Sequence, residues 1–199
     1  SKNLIDTEIA IGHFKNNNYE IENNPEKADI IVINTCGFIA SAKEEAINTI
    51  LEMAEYKKTG PCKALIVTGC LAQRYKQEIV DEIPEVDAVI GTSKYDEIFD
   101  AVDQALKGSH FLDVDDLDRL PSVPGKRILT TGGHYAHLKI AEGCDKHCTY
   151  CIIPKIRGNY RSVPMEQLLA EAASLAEQGV KELILVAQET TLYGVDLYG

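Results

Sequence analysis

Short apolar runs alternate with amphipathic segments through the first half of the chain. Three runs rich in β-branched residues indicate strands buried on both faces, at positions 30–33, 64–67 and 86–90. Between them, apolar residues recur at helical spacing over positions 38–54 and again over 71–83. Repeated β-α-β units of this kind predict an α/β fold, with a parallel sheet and helices on both faces.

The same patterns predict the domain boundaries. A helical segment opens the chain, another ends at Gly108, and together with the predicted strands they define an amino-terminal domain over residues 1–107. Little periodicity follows, so we interpret residues 108–133 as an interdomain linker. That interpretation depends on an aspartate cluster and nearby turn-forming residues, Asp113, Asp115, Asp116, Asp118, Pro121, Pro124 and Gly125.

A second domain is predicted over residues 134–199. Its pattern is a strand at 136–140, a cysteine-containing loop, a helix at 164–178 and a second strand at 182–187. The chain opens on a helix where a β-α-β domain would place a strand, and two strands with one helix are too few to close a core. We therefore expect the sequence to be a portion of a longer protein.

Composition narrows the classes of function. The chain carries 31 acidic and 20 basic residues, a formal net charge of -11, which disfavours a broad nucleic-acid-binding surface. No apolar run approaches the ~20 residues of a membrane helix, and the sequence contains no basic segment followed by the apolar run of a signal peptide. We expect a cytoplasmic protein whose cysteines are reduced.

Three cysteines form a compact motif, GCDKHCTYC, directly after a predicted strand. Cys144, Cys148 and Cys151 can bind three corners of an iron-sulfur cube and leave the fourth iron open for chemistry. A structural zinc site with His147 or a distant residue as fourth ligand is the alternative, as is a coincidental spacing. Zinc sites favour paired C-x2-C motifs, and the sequence has no second pair.

Two other cysteines occupy equivalent positions in the predicted sheet. Cys36 and Cys70 each follow the carboxyl end of a strand, in the segments IIVINTCGF and ALIVTGCLA. Ligands gather at that edge of a parallel sheet, so a second metal site is predicted there, with a third cysteine expected before Ser1. Burial as small apolar residues, or a disulfide, remains the alternative. Cys62 precedes its strand and is predicted to lie at the opposite edge.

These motifs together resemble a known family. CDKHCTYC, with its aromatic residue before the last cysteine, matches the radical S-adenosylmethionine (SAM) signature, and NTCGF and VTGC resemble the amino-terminal, flavodoxin-like domain of the methylthiotransferases. The segments KIAEGCDKHCTYCIIPKIRGNYRS and LVAQETTLYGVDLYG are most similar to members that modify an aspartate of a small-subunit ribosomal protein. The resemblance implies that residues 134–199 begin a partial TIM barrel.

The resemblance also implies cofactors and partners. Cys144, Cys148 and Cys151 would hold a 4Fe-4S cluster that binds SAM and yields a 5'-deoxyadenosyl radical on reduction. Cys36 and Cys70 would hold an auxiliary 4Fe-4S cluster that carries the sulfur to be inserted. The implied partners are the ribosomal protein and an electron donor such as flavodoxin or ferredoxin, while the sulfur donor and the catalytic residues are not indicated.

Three side chains outside the cysteine motifs are candidates for contact with SAM. Tyr150 would pack near the adenine, as the corresponding aromatic residue does in related sites. Glu189 follows a predicted strand at a barrel position where ligand contacts gather, although the family usually has aspartate there. Arg157 belongs to a basic stretch that either attracts an anionic ligand or lies in a solvated loop; the stretch contains Lys146, Lys155, Arg157 and Arg161.

Two other functions fit part of this pattern. A methylthiotransferase of transfer RNA would use the same chemistry, although the acidity of the chain disfavours it. A non-catalytic iron-sulfur or zinc module would explain the cysteines without any reaction.

Overall fold

The computed structural model describes residues 2–114, 116–120 and 127–199. Asp115, Pro121, Pro124 and Gly125 of the predicted linker lie outside those ranges. None of the helices in the described ranges is long and apolar enough to cross a membrane. The helices are α1 (Lys2–Asn16), α2 (Ala40–Thr59), α3 (Cys70–Tyr75), α4 (Gln77–Glu82), α5 (Ile98–Leu106), α6 (Ile153–Arg157), α7 (Met165–Glu177) and α8 (Val195–Tyr198). The strands are β1 (Ile30–Thr35), β2 (Ala64–Gly69), β3 (Ala88–Ile90), β4 (Phe111–Asp113), β5 (Tyr135–Lys139), β6 (Ala141–Glu142), β7 (Arg161–Ser162) and β8 (Glu182–Val186).

One compact unit, Glu20–Leu117, contains a parallel sheet in the order β1-β2-β3-β4. Every residue of β2 is buried, as expected for a strand covered on both faces. Ile50 of α2 and Leu71 of α3 pack in the same core. The predicted α/β fold with a parallel sheet is therefore confirmed.

Three details of this unit differ from the sequence prediction. Residues 111–113, assigned to the linker, form the edge strand β4, which is too short and too acidic for its pattern to be recognised. The predicted helix at 71–83 is two helices, because Lys76 has a φ of 45° and ends α3. Phe38, assigned to a buried helix face, precedes α2 and is 51% exposed.

The other unit consists of the remaining residues at both ends of the chain. Here β5 and β8 pair in parallel, β6 and β7 pair antiparallel, and Leu168 of α7 packs on Leu138 of β5. The structure groups α1 with these elements, whereas the sequence pattern placed α1 in the amino-terminal domain.

Buried ion pairs explain why α1 packs here. Glu8 of α1 is fully buried, and its carboxylate accepts hydrogen bonds from Arg127 Nε at 2.8 Å and from the backbone N–H of Thr130 at 2.8 Å. Asp6, two residues earlier, accepts a hydrogen bond from Lys139 of β5 at 2.6 Å. Two buried carboxylates of α1 thus bind cationic side chains of this unit.

Candidate functional site: two groups of cysteines

The three-cysteine motif lies in a loop between β6 and α6. All three thiols are free, with Cys148 exposed and the other two half-buried. The backbone N–H of Cys151 donates to the carbonyl of Cys148 at 2.9 Å, which folds the second half of the loop into a turn. His147 has a φ of 44°, a left-handed conformation that turns the backbone between the first two cysteines.

The two ends of this loop are held together. Ala141 and Glu142 before the loop pair with Ser162 and Arg161 after it, and the Cys144 N–H donates to the Gly158 carbonyl at 3.1 Å. We call this closure, formed by β6, β7 and the Cys144–Gly158 hydrogen bond, the neck of the cysteine loop.

The donor chemistry of the loop fits an iron-sulfur cluster. Among the described residues, no three histidine, cysteine or carboxylate side chains are grouped as ligands of a single metal ion. A cubic cluster makes a different demand, because each thiolate binds a separate iron and the sulfurs need not meet at one point. Three free thiols on one partly exposed loop meet that demand, and the cluster stays a prediction.

The second pair of cysteines follows two adjacent parallel strands. Thr35 at the end of β1 is in register with Gly69 at the end of β2. Cys36 and Cys70 are therefore the first residues after these two adjacent strands. A Cβ atom placed on Gly37 would lie 3.0 Å from the backbone carbon of Cys70, so the two strand-to-helix corners are in close contact. The structure thus brings these two corners together, as the sequence predicted.

The two thiols of this pair differ in exposure, and neither forms a disulfide. Cys36 is exposed, whereas Cys70 begins α3 and is 6% exposed. Cys62 lies before β2, at the opposite edge of the sheet, where burial raises the pKa of its thiol. This is the edge at which the sequence predicted Cys62 to lie.

Thr35 connects the two corners through its side chain. Its hydroxyl donates to the carbonyl of Thr68 at 2.6 Å and accepts from the backbone N–H of Ala72 at 3.4 Å. Thr68 and Ala72 flank Cys70, and Thr35 precedes Cys36. Thr35 is 2% exposed, and its two hydrogen bonds therefore hold the backbone on either side of both cysteines in place.

We expect Thr35→Val to lower the free energy of unfolding by about 1–3 kcal/mol, because the valine leaves the buried Thr68 carbonyl without its donor. Urea unfolding with linear extrapolation measures the change. Thr35→Ser keeps the hydroxyl and should retain most of the stability. A loss in Thr35→Ser as large as that in Thr35→Val would mean that the methyl group contributes as much as the hydrogen bond, and unchanged stability in Thr35→Val would contradict the role of the hydroxyl.

The other candidate residues have distinct surroundings. Tyr150 is 91% exposed. Glu189 accepts a hydrogen bond from Lys146 of the cysteine loop, and this bond, with others from Thr191, lowers the pKa of Glu189 to about 2. Glu189 is therefore a carboxylate that pairs with a lysine of the cysteine loop.

Arg157 is 3% exposed, which excludes the solvated-loop alternative for this residue. Its guanidinium donates to Asp6 at 3.1 Å and to Glu142 at 3.2 Å. Burial alone would raise the pKa of Glu142, but Arg157, Lys139 and Lys2 together lower it well below its ordinary range. Arg157 thus belongs to a buried ion-pair network beside the cysteine loop.

Sequence reasoning missed the acidic members of this network. Asp6 and Glu142 were not candidates, because single carboxylates in helical or strand patterns carry no distinctive spacing. The available signal was the pair of charged residues inside the apolar segment HLKIAE, where Lys139 and Glu142 interrupt a run that otherwise reads as a buried strand. Charges at such positions require partners.

Two family models match the chain. Residues 1–91 match the uncharacterized protein family UPF0004, and residues 138–198 match the radical SAM superfamily. The second domain is therefore a radical SAM domain, a class that implies SAM and an iron-sulfur cluster.

Curated relatives match the chain over its whole length. A protein of Lachnoclostridium phytofermentans is 64% identical over 198 residues, and proteins of Desulforamulus reducens and Acetivibrio thermocellus are 51% and 53% identical. Each bears the name ribosomal protein uS12 methylthiotransferase RimO. The alignments cover all of this chain and 45% of each relative. The chain, which spans less than half the length of these relatives, is thus similar over its whole length to radical SAM methylthiotransferases named RimO.

Proposed function

We propose that this chain provides the cofactor-binding part of an enzyme that adds a methylthio group to the β-carbon of an aspartate in ribosomal protein uS12. The observation that carries the proposal is the placement of two separate groups of cysteines, none in a disulfide, at strand ends, in a chain 64% identical to a protein of that name.

Each cysteine group has an assigned role in this proposal. Cys144, Cys148 and Cys151 hold the 4Fe-4S cluster of the radical SAM domain, and Cys36 and Cys70 bind an auxiliary 4Fe-4S cluster. When bound, the first cluster supplies the electron that splits SAM, and the second supplies a site for the sulfur. The electron donor in this proposal is a flavodoxin or ferredoxin, and the setting is the reducing cytoplasm.

The side chains around the loop divide the remaining work. The exposed ring of Tyr150 is available to pack against the adenine of SAM. Lys146 and Glu189 tie the loop to the segment after β8. Arg157 has its guanidinium committed to buried carboxylates, so we assign it to holding the loop and not to binding the SAM carboxylate.

Mass spectrometry of a deletion strain tests the substrate. We expect uS12 from that strain to lack the methylthio group. A plasmid that carries the wild-type gene should restore the modification, whereas a plasmid that carries the Cys148→Ala gene should not. Transfer RNA nucleosides, digested from the same cells, should be unchanged. A missing methylthio group on transfer RNA, with normal uS12, would instead assign the protein to the transfer RNA branch.

A further inference from the structure

We propose that the buried Glu142–Arg157 ion pair is a clamp that positions the cysteine loop for cluster binding. The proposal rests on the function proposed above and assigns a new role within it. Glu142 and Arg157 are positioning residues, because they act on the cysteines through the backbone and not by touching a cofactor.

The clamp joins the two ends of the loop. Glu142 lies two residues before Cys144, and Arg157 lies six residues after Cys151. The guanidinium Nη1 of Arg157 is 3.2 Å from Oε2 of Glu142, and the two side chains are 3% and 5% exposed. The pair therefore closes the loop at its neck, shielded from water.

Further hydrogen bonds show that the closure is tight. The Gly143 N–H donates to its neighbour Glu142 Oε1 at 3.3 Å, and the same carboxylate oxygen accepts from Gln188 Nε2 at 3.0 Å. A Cβ atom on Gly143 would come within 1.9 Å of the Asn159 carbonyl oxygen. The backbone of the neck is thus packed without room for a side chain.

The clamp is also tied to α1. The carboxylate of Asp6 bridges two cations, with Oδ1 2.6 Å from Lys139 Nζ and Oδ2 3.1 Å from Arg157 Nη1. Lys2 Nζ lies 2.8 Å from Glu142 Oε1. Asn3 accepts a further hydrogen bond from Arg157. The network therefore orients both ends of the loop against a 15-residue helix, and not only against each other.

A positioning device is required here because the loop has little internal structure of its own. Three thiols must be held at fixed separations to bind a cube, and every degree of freedom left in the loop lowers affinity. Groups that orient metal ligands from behind commonly alter metal affinity by 10- to 100-fold. The buried clamp supplies that restraint before any metal binds.

The test uses the full-length protein with Arg157→Gln, Glu142→Gln and the conservative variant Arg157→Lys. Glu8→Gln is the matched control, because it breaks a buried pair between α1 and Arg127 that is outside the loop neck. Hydrogen exchange of the metal-free proteins, read on the peptide containing Cys144, reports neck opening. Iron content and the electron paramagnetic resonance spectrum after anaerobic reconstitution report the cluster.

We expect Arg157→Gln and Glu142→Gln to speed exchange at the neck at least about tenfold. They should also lose about four irons per chain with the radical SAM cluster signal, while Arg157→Lys retains part of both. Glu8→Gln should lose stability with unchanged iron and spectrum. Wild-type exchange and iron in the two glutamine variants, or the same iron loss in Glu8→Gln, would overturn the clamp. Failure of the proposed function would look different: without cluster chemistry the wild-type protein itself would bind no iron, and with a transfer RNA substrate the iron results would stand while uS12 kept its methylthio group in the deletion strain.

Discussion

Cys148→Ala should reduce both cleavage of SAM and methylthio transfer to background. The substitution removes the exposed central thiol of the loop, and a cube held by two thiolates lacks the ligand set that leaves one defined open iron. Cleavage is measured as 5'-deoxyadenosine formed under dithionite, and transfer as the mass change of a uS12 peptide.

Cys36→Ala should separate the two activities. The variant retains the loop cysteines and so should still cleave SAM, but it removes a proposed ligand of the auxiliary cluster and should transfer no methylthio group. Cys62→Ala is the matched control, since Cys62 lies at the other end of β2 and should leave both activities intact. Equal loss of cleavage in the Cys36 and Cys148 variants would contradict this division of roles.

Gly143→Ala should lower the free energy of unfolding by more than about 3 kcal/mol, the largest stability effect we expect from a single methyl group in this protein. Gly143 has a φ of 78°, which disfavours alanine, and the new methyl group would lie 1.9 Å from the Asn159 carbonyl oxygen. The neck of the cysteine loop would have to open, so iron uptake at the loop should fall as well.

Gly133→Ala isolates the effect of packing from that of the backbone. Gly133 has a φ of 79°, but a Cβ atom there would meet nothing within 4 Å. The expected loss is about 1 kcal/mol, from conformational strain alone, with normal iron content. Urea unfolding compares the two variants. Similar losses at the two positions would mean that the neck is not closely packed.

The parallel sheet was predictable because its signals are local. Buried runs of β-branched residues such as β2 can be recognised directly in the sequence. The parallel topology then places the corners after β1 and β2 side by side. The three-residue strand β4 and the break at Lys76 were not predictable, since both depend on a few backbone dihedrals that hydrophobic periodicity does not register.

The candidate site was predictable to a similar depth. Cysteine positions in the sequence identified both the three-cysteine loop and the Cys36–Cys70 pair, because closely spaced thiols in a reducing setting have few functions other than metal binding and catalysis. The residues that hold these cysteines in place were not identified. Asp6 and Arg157 are 151 residues apart in sequence, and only the folded chain shows that they form one buried pair. Thr35 likewise carries no signal until its hydroxyl is seen between two strand ends.

Iron counting after anaerobic reconstitution tests the central claim most directly. If the cysteine loop and the strand-end pair each support a cube, intact protein should bind about eight irons. A variant in which Cys144, Cys148 and Cys151 are all replaced by alanine should bind about four irons. A variant in which both Cys36 and Cys70 are replaced by alanine should also bind about four. One tightly bound zinc per chain with no uptake of iron would contradict the account.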